Sequence, residues 1–200
     1  MQKDHFEEKA KNWDGESIRV NNTRTISEAI LEKFELNKEM DVLDFGVGTG
    51  LLGFEIAQHV KKVHGIDTSK SMLEKLEEKN TPQLSIKSYH QDIIENPLTQ
   101  EFDALISSMT LHHIEDLEKF FTTIHKNIKD KGFIAIADLE KEDGTFHGDN
   151  TGVFHFGFEK EELCKIASAC GFKDVEFESI NIISKPHRDF GVFLLSAVKR

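Results

Sequence analysis

The stretch VLDFGVGTGLLG, Val42 to Gly53, is a short apolar run that breaks into glycines and then opens a helix. A strand ending this way brings backbone N–H groups and the positive end of a helix to the carboxyl edge of a sheet, where open α/β sheets bind ligands. Two registers fit. Gly46-x-Gly48-x-Gly50 follows an acid, Asp44, whereas Gly48-x-Gly50-x-x-Gly53 matches a dinucleotide fingerprint. Asp67 lies 19 residues beyond Gly48, close to the ~20 at which such a fingerprint places its ribose-binding acid. Asp44 separates the two registers: a carboxylate just before the first glycine is poorly matched to a pyrophosphate and suits a cationic ligand.

Outward from this loop, apolar runs alternate with helical periodicity, the pattern of a parallel sheet with crossover helices. Strands are expected at Asp41 to Phe45, Val63 to Asp67, Leu84 to His90, Ala104 to Ser108 and Phe133 to Leu139. Helices are expected at Leu51 to Val60, Ser69 to Asn80 and Glu115 to Ile128. The third of these carries Leu117, Phe120, Phe121, Ile124 and Ile128 on one core-facing stripe. Lys131-Gly132 then reads as its stop.

The segment EKEDGTFHGDNTGVFHFGF, residues 140 to 158, is too glycine-rich for a regular element and longer than most connections, which marks a functional loop. A helix from Glu159 to Cys170 follows, with Gly171 as its stop. Strands at Val175 to Ile183 and Phe190 to Val198 are joined by SKPHRD, too short for a crossover, so they should pair antiparallel. Ahead of the first strand, residues 5 to 36 read as a short polar helix and a longer amphipathic one, placed to cap the strand ends.

Two hundred residues suit one α/β core, giving one domain over residues 1–200, with a helical cap at 1–38 and the sheet at 39–200. Acidic side chains number 36 against 25 basic ones, a net charge of −11, and no Lys/Arg run exists that would neutralise a phosphate backbone, which argues against nucleic acid. The opening MQKDH is charged, unlike a signal peptide, and no apolar stretch approaches the ~20 residues of a membrane span, so a cytoplasmic protein without a membrane partner is expected. Cys164 and Cys170 sit about 240° apart around a helix, which disfavours a disulfide between them.

Asp44-Phe-Gly46-Val-Gly48-Thr-Gly50 resembles the first motif of the class I S-adenosylmethionine-dependent methyltransferases, with Val47 where cysteine is common. The likeness continues in order through GIDTSKSML, YHQDI and FDALISSMTLHHI, and covers roughly residues 5 to 199. FEEKAKNWD is similar to the N-terminal helix of the small-molecule members. The resemblance implies a Rossmann-like three-layer sandwich, its mostly parallel seven-stranded sheet ending in an antiparallel pair, with S-adenosylmethionine as donor and S-adenosylhomocysteine as product.

By that resemblance Gly46, Gly48, Thr49 and Gly50 approach the methionine and ribose, Asp67 with Thr68 takes the ribose hydroxyls, and Asp92 with Ile93 meets the adenine. Ser108 lies at the fourth strand end, and Trp13 is placed to close over the cofactor. Taken singly, Asp67 also reads as a helix N-terminal acid and Asp92 as a turn residue. His112 and His113, after the fourth strand, are the candidate base or substrate ligand, with backbone capping and packing as the alternative. His147, Asp149 and His155 in the long loop, and Arg24 in the cap, are the acceptor-side candidates. Their spacing matches no closed zinc pattern, so no metal is expected.

In-line methyl transfer chiefly requires alignment and exclusion of water, and a base only when the acceptor carries a proton. The expected function is therefore methyl transfer to a small molecule, by a monomer or homodimer. The alternatives are an NAD-dependent oxidoreductase using the Gly48 register, and a non-catalytic scaffold that retains the donor site.

Overall fold

A computed structural model describes Asp4 and residues 6–200. Most of the charged opening MQKDH, at residues 1–3 and 5, therefore lies outside the described residues. Seven strands form one sheet in the order β3-β2-β1-β4-β5-β7-β6. They are β1 (Asp41–Phe45), β2 (Lys62–Asp67), β3 (Ile86–His90), β4 (Phe102–Ser108), β5 (Ile128–Leu139), β6 (Phe172–Lys185) and β7 (Arg188–Lys199). The first five run parallel, and β7 pairs antiparallel with both β5 and β6. This is the Rossmann-like architecture expected, with the antiparallel pair at the end of the chain.

Parallel strands must be covered on both faces, and their side chains alternate between the two. Val42, Ala104, Ile106, Phe133 and Ala135 face one apolar cluster with Ile26, Ile30, Leu52, Ile56 and Leu76. These last belong to α2 (Ser17–Lys33), α3 (Leu51–Ala57) and α4 (Lys70–Lys79). Leu43, Leu105, Ile134 and Ile136 face the other cluster, with Phe120, Phe121, Ile124, Leu163 and Ala167. Those come from α5 (Leu117–Asn127) and α6 (Lys160–Ala169), so the expected stripe on α5 is core. Asp116 caps α5 by accepting the Lys119 N–H at 2.9 Å.

The end of α5 differs from expectation. The helix stops at Asn127, β5 begins at Ile128, and Lys131-Gly132 lies inside the strand instead of closing the helix. The register shift against β4 accounts for this, with Lys131 taking a left-handed backbone at φ 67°. The Asn127 side chain, donating to the Leu98 and Gln100 carbonyls at 2.6 and 3.1 Å, holds the helix end in place. β6 and β7 are longer than the sequence suggested, running to Lys185 and from Arg188.

The N-terminal part begins as α1 (Glu7–Ala10) and a 3-10 turn at Trp13–Gly15, where Asp14 reaches the glycine loop at the carboxyl edge, and continues as α2 along one face of the sheet. α2 buries Asn22, Thr23 and Ser27 beside Ile26 and Ile30, a more polar inner face than an amphipathic helix normally shows. Part of that polarity is spent on β6, where the Asn181 amide donates to Asn22 at 2.8 Å.

Ile106, fully buried in the middle of β4, ties this core to the strand that carries the site. Ile106→Ala should cost 2–5 kcal/mol, in the usual range for truncating a buried aliphatic side chain. Chemical denaturation should show a lower midpoint at unchanged slope.

Candidate active site at the ends of β1 and β4

The chain leaves β1 towards β2 on one side and reaches β4 on the other, so the strand order reverses at β1 and opens a crevice at its carboxyl end. The glycine loop forms one wall. Gly46, Gly48 and Gly50 have φ of 68°, 54° and 88°, a conformation that costs glycine little and other residues more. At Gly46 a side chain is excluded twice over, because a Cβ there would lie 2.2 Å from the Thr110 side chain beyond β4. Thr110 Oγ1 also donates to the Gly46 and Ser108 carbonyls, at 3.4 and 3.1 Å.

Asp67, at the end of β2, accepts the Gly48 N–H on one oxygen and the Ser69 N–H on the other, both at 2.8 Å. It therefore holds the loop and starts α4 at the same time. Asp44 is 1% exposed, and its Oδ2 has no hydrogen-bond partner among the described residues. Burial pushes its carboxyl well above the ordinary range, the Asp67 charge adds to this, and the Gly53 N–H offsets only part. Gly53 leaves room for that carboxylate: a Cβ there would sit 2.8 Å from Asp44 Oδ2. The third glycine of the dinucleotide register is thus used to seat an acid.

Two further acids come from the N-terminal segment, and sequence reasoning missed both. Asp4 accepts from Ser69 Oγ at 2.9 Å and from the Ser71 N–H at 3.0 Å. Asp14 accepts from Thr49 Oγ1 at 2.5 Å and pairs with Lys79 at 2.6 Å. Trp13 lies in this strap, edge-on to Phe6 and with the Arg19 guanidinium stacked 4.0 Å from its ring. Asp92 folds back on its own turn, accepting the Ile94 N–H at 2.8 Å, and Ile93 is core. The Thr68 carbonyl contacts His90 Nε2 at 3.1 Å, and Ser108 is half-buried at the crevice.

The second wall is the turn after β4. Met109 takes an uncommon left-handed backbone at φ 55°, held by its N–H on the Ala137 carbonyl at 2.8 Å. A 3-10 turn, Leu111–His113, follows. His112 is 1% exposed; its Nδ1 lies 2.7 Å from Asp138 Oδ1, and its backbone N–H reaches Asp138 Oδ2 at 3.1 Å. Burial opposes charge on Asp138, but the His112 ring and the backbone N–H groups of Leu139 and His112 hold its carboxyl below the ordinary range. An ionised carboxylate only accepts, so Nδ1 carries the proton that faces Asp138, and in the neutral ring Nε2 would carry the lone pair. That Nε2 is buried without a hydrogen-bond partner among the described residues.

His112 and His113, equivalent from sequence, are distinct here. His113 meets the Gly152 carbonyl at 2.6 Å and His155 meets the Ile114 carbonyl at 2.8 Å, so both fasten the 140–158 loop onto the turn. His147, from the same loop, stands 4.8 Å from His112 ring to ring, and its Nε2 is also buried without a partner among the described residues. Asp149 lies in the exposed tip of the loop, accepting from the Thr151 N–H and hydroxyl. Arg24 does not join the group: it pairs with Glu28 at 3.0 Å on the outer face of α2. Among the described residues no cluster of three or more His, Cys, Asp or Glu is arranged to hold a metal, and no helix is long and apolar enough to cross a membrane.

A reversed-order parallel sheet, a glycine loop backed by acids and a facing polar turn define an α/β enzyme of the nucleotide-cofactor class. The chain matches the family model described as a methyltransferase domain over residues 36–168, and it belongs to that family, in its class I, S-adenosylmethionine-dependent branch. An uncharacterised methyltransferase of Schizosaccharomyces pombe is 31% identical over 164 residues, covering 73% of this chain and 56% of that protein. The chain spans about half the length of the curated relatives it matches. Among solved structures, the Haloferax volcanii methyltransferase in complex with the Trm112 activator is similar over 99% of both chains, at 16% identity and TM-score 0.79. Phosphoethanolamine N-methyltransferase 2 of Haemonchus contortus, in complex with phosphomonomethylethanolamine and S-adenosylhomocysteine, is similar over 86% of this chain and 52% of its own. Its identity is 21% and its TM-score 0.70.

His113 and His147 are both held down to about 4, from an ordinary 6.5, first by burial and then by the neighbouring His112. The unfolded chain therefore binds protons that the folded cluster refuses. Their contribution to stability is complete above about pH 6.5 and is lost as pH falls towards 4. Thermal unfolding followed from pH 7.5 to pH 4.5 should show a falling midpoint, and His147→Gln should flatten that fall. A slope unchanged in the variant would remove His147 from the account.

Proposed function

We propose that this chain moves a methyl group from S-adenosylmethionine to a small-molecule acceptor bound between the glycine loop and the histidine turn. The observation that carries the reading is the buried Asp44 carboxyl, whose Oδ2 has no hydrogen-bond partner among the described residues, beside a glycine loop held by Asp67 and by the strap acid Asp14. An anionic nucleotide would meet repulsion there, whereas a ligand carrying sulfonium and ammonium charges would favour the ionised form of these acids. When bound, S-adenosylmethionine supplies a methyl group activated by a positively charged sulfur.

Each residue then has a task. Gly46, Gly48 and Gly50 let the backbone approach the donor, with Thr49 held by Asp14. Asp44 balances the donor's positive charge from beneath. Asp67 has lone pairs beyond those used by Gly48 and Ser69, with which it accepts from the ribose hydroxyls. Asp92 and Ile93 line the adenine end, while Thr68 and Ser108 border the crevice. Phe6 and Trp13 close it from above, Phe6 lying edge-on to both Trp13 and His113. Water exclusion and alignment are the main requirements of an in-line displacement, and the strap supplies the first. The acceptor lies against the 140–158 loop, with His147 beside it. The bound phosphomonomethylethanolamine of the Haemonchus contortus neighbour supports an acceptor of small size.

Thermal-shift titration with S-adenosylhomocysteine tests the donor site. At ~100 times its dissociation constant the ligand should stabilise the protein by ~2.7 kcal/mol, whereas NADH should not. No shift with S-adenosylhomocysteine would sink the proposal.

Asp67→Ala should weaken donor binding by about 1.5–3 kcal/mol, the worth of hydrogen bonds to a charged acceptor. Calorimetric titration of the variant checks this, and unchanged affinity would reassign the end of β2.

A further inference from the structure

We propose that His112 is the general base of the transfer, that Asp138 is its positioning residue, and that the group methylated is a hydroxyl. This rests on the methyl-transfer reading above and deepens it. The ring is enclosed, at 1% exposure, and is fixed through its Nδ1–H and its backbone N–H to the two oxygens of a single carboxylate. The carboxylate in turn takes the Leu139 N–H at 2.7 Å and is 0% exposed. The pair thus has one open function, the Nε2 lone pair, buried and unpartnered among the described residues. A histidine placed only for packing would have no need of a buried carboxylate to select its tautomer, and burying that carboxylate is costly.

The turn that carries this nitrogen packs against the glycine loop. His112 lies two residues beyond Thr110, which touches the Gly46 carbonyl of the donor loop at 3.4 Å. The titratable groups facing the ring are Asp138 from β5, His113 from its own turn and His147 from the loop. His113 is tied to Gly152. Asp138 is therefore the ionised member of the group, and both its oxygens are engaged by His112 and Leu139. A cationic ammonium acceptor would find the only ionised carboxylate of this cluster enclosed at 0% exposure, whereas a neutral hydroxyl needs only a lone pair to receive its proton.

The step balances. The hydroxyl proton passes to Nε2 of His112 as an oxygen lone pair forms the bond to the methyl carbon. The carbon–sulfur bond breaks with its electron pair going to sulfur, giving neutral S-adenosylhomocysteine. The imidazolium is balanced by Asp138 and returns its proton to solvent after the products leave.

The test uses the intact protein with methyl-labelled S-adenosylmethionine. Catechol, a panel of monophenols and aliphatic alcohols, ethanolamine and 2-mercaptoethanol are offered separately across a pH series. His112→Asn retains an amide able to reach Asp138 while removing Nε2, so the fold should persist. Its S-adenosylhomocysteine thermal shift should match the parent, while turnover of the hydroxyl acceptor falls 10²–10⁴-fold, the usual worth of a general base. Asp138→Asn should favour the opposite tautomer, lowering kcat with little change in KM and displacing the acid limb of the kcat profile. Nitrogen-15 spectra of the parent should show His112 protonated at Nδ1, and Asp138→Asn should lose that signature.

Turnover of His112→Asn within tenfold of the parent overturns the proposal, as does a parent protonated at Nε2. Methylation confined to the amine or thiol, or donor binding without transfer to any hydroxyl in the panel, overturns it too. Failure to bind S-adenosylhomocysteine at all would instead strike the methyl-transfer reading, which keeps the two distinguishable.

Discussion

The reversal of strand order at β1 is the constraint on which the site depends. With β2 on one side and β4 on the other, the loops leaving β1 and β4 diverge and leave a gap between them. The two sides are still held at a short, fixed spacing, because Thr110 packs where a side chain on Gly46 would be. The glycine loop and the histidine turn are therefore registered against each other through the backbone of two adjacent central strands. Any change that moved β4 against β1 would move the two walls of the crevice with it.

Much of this was legible from the order of elements. The glycine turn after an apolar run, the alternation of strand and helix, and the short link between the last two strands follow from local chemistry, and each appears in the structure. The end of α5 was misplaced because Lys131-Gly132 has the composition of a helix stop, while the bend it makes lies within a strand paired to β4. A bulge depends on the register with a neighbour that sequence periodicity does not encode. Arg24 was misplaced for a similar reason: α2 buries asparagine, threonine and serine, so its apolar pattern does not mark which face is outward.

The site was legible in part. Asp44, Asp67 and the glycines announce themselves by position, but Asp138 sits in IAIADL, where one acid at the end of an apolar strand resembles an ordinary strand terminus. Its significance appears only when His112, 26 residues earlier, is brought onto it. The signal that existed was its place at a carboxyl strand end beside a strand followed by a turn with two histidines. Asp4 and Asp14 carried no signal of that kind, because their partners Ser69 and Thr49 are brought near only when the strap folds across the sheet.

The distribution of charge gives the crevice a direction. Acids gather on the glycine-loop wall, where Asp44 is buried, Asp67 is half-buried and Asp4 and Asp14 approach from the strap. On the opposite wall His113 and His147 are held neutral by burial, and the charge of Asp138 is enclosed behind His112. In the proposed transfer to a hydroxyl one positive charge would be lost at the donor sulfur and one gained on the His112 imidazole, with the Asp44 carboxyl behind the first wall and Asp138 behind the second. The carboxylates are fixed before the reaction by backbone N–H groups at Gly48, Ser69, Leu139 and His112, which spares the reorganisation that water would need. The polar groups buried in an otherwise apolar fold therefore act together: they hold two electrostatic environments a short distance apart, one suited to the loss of positive charge and the other to its gain.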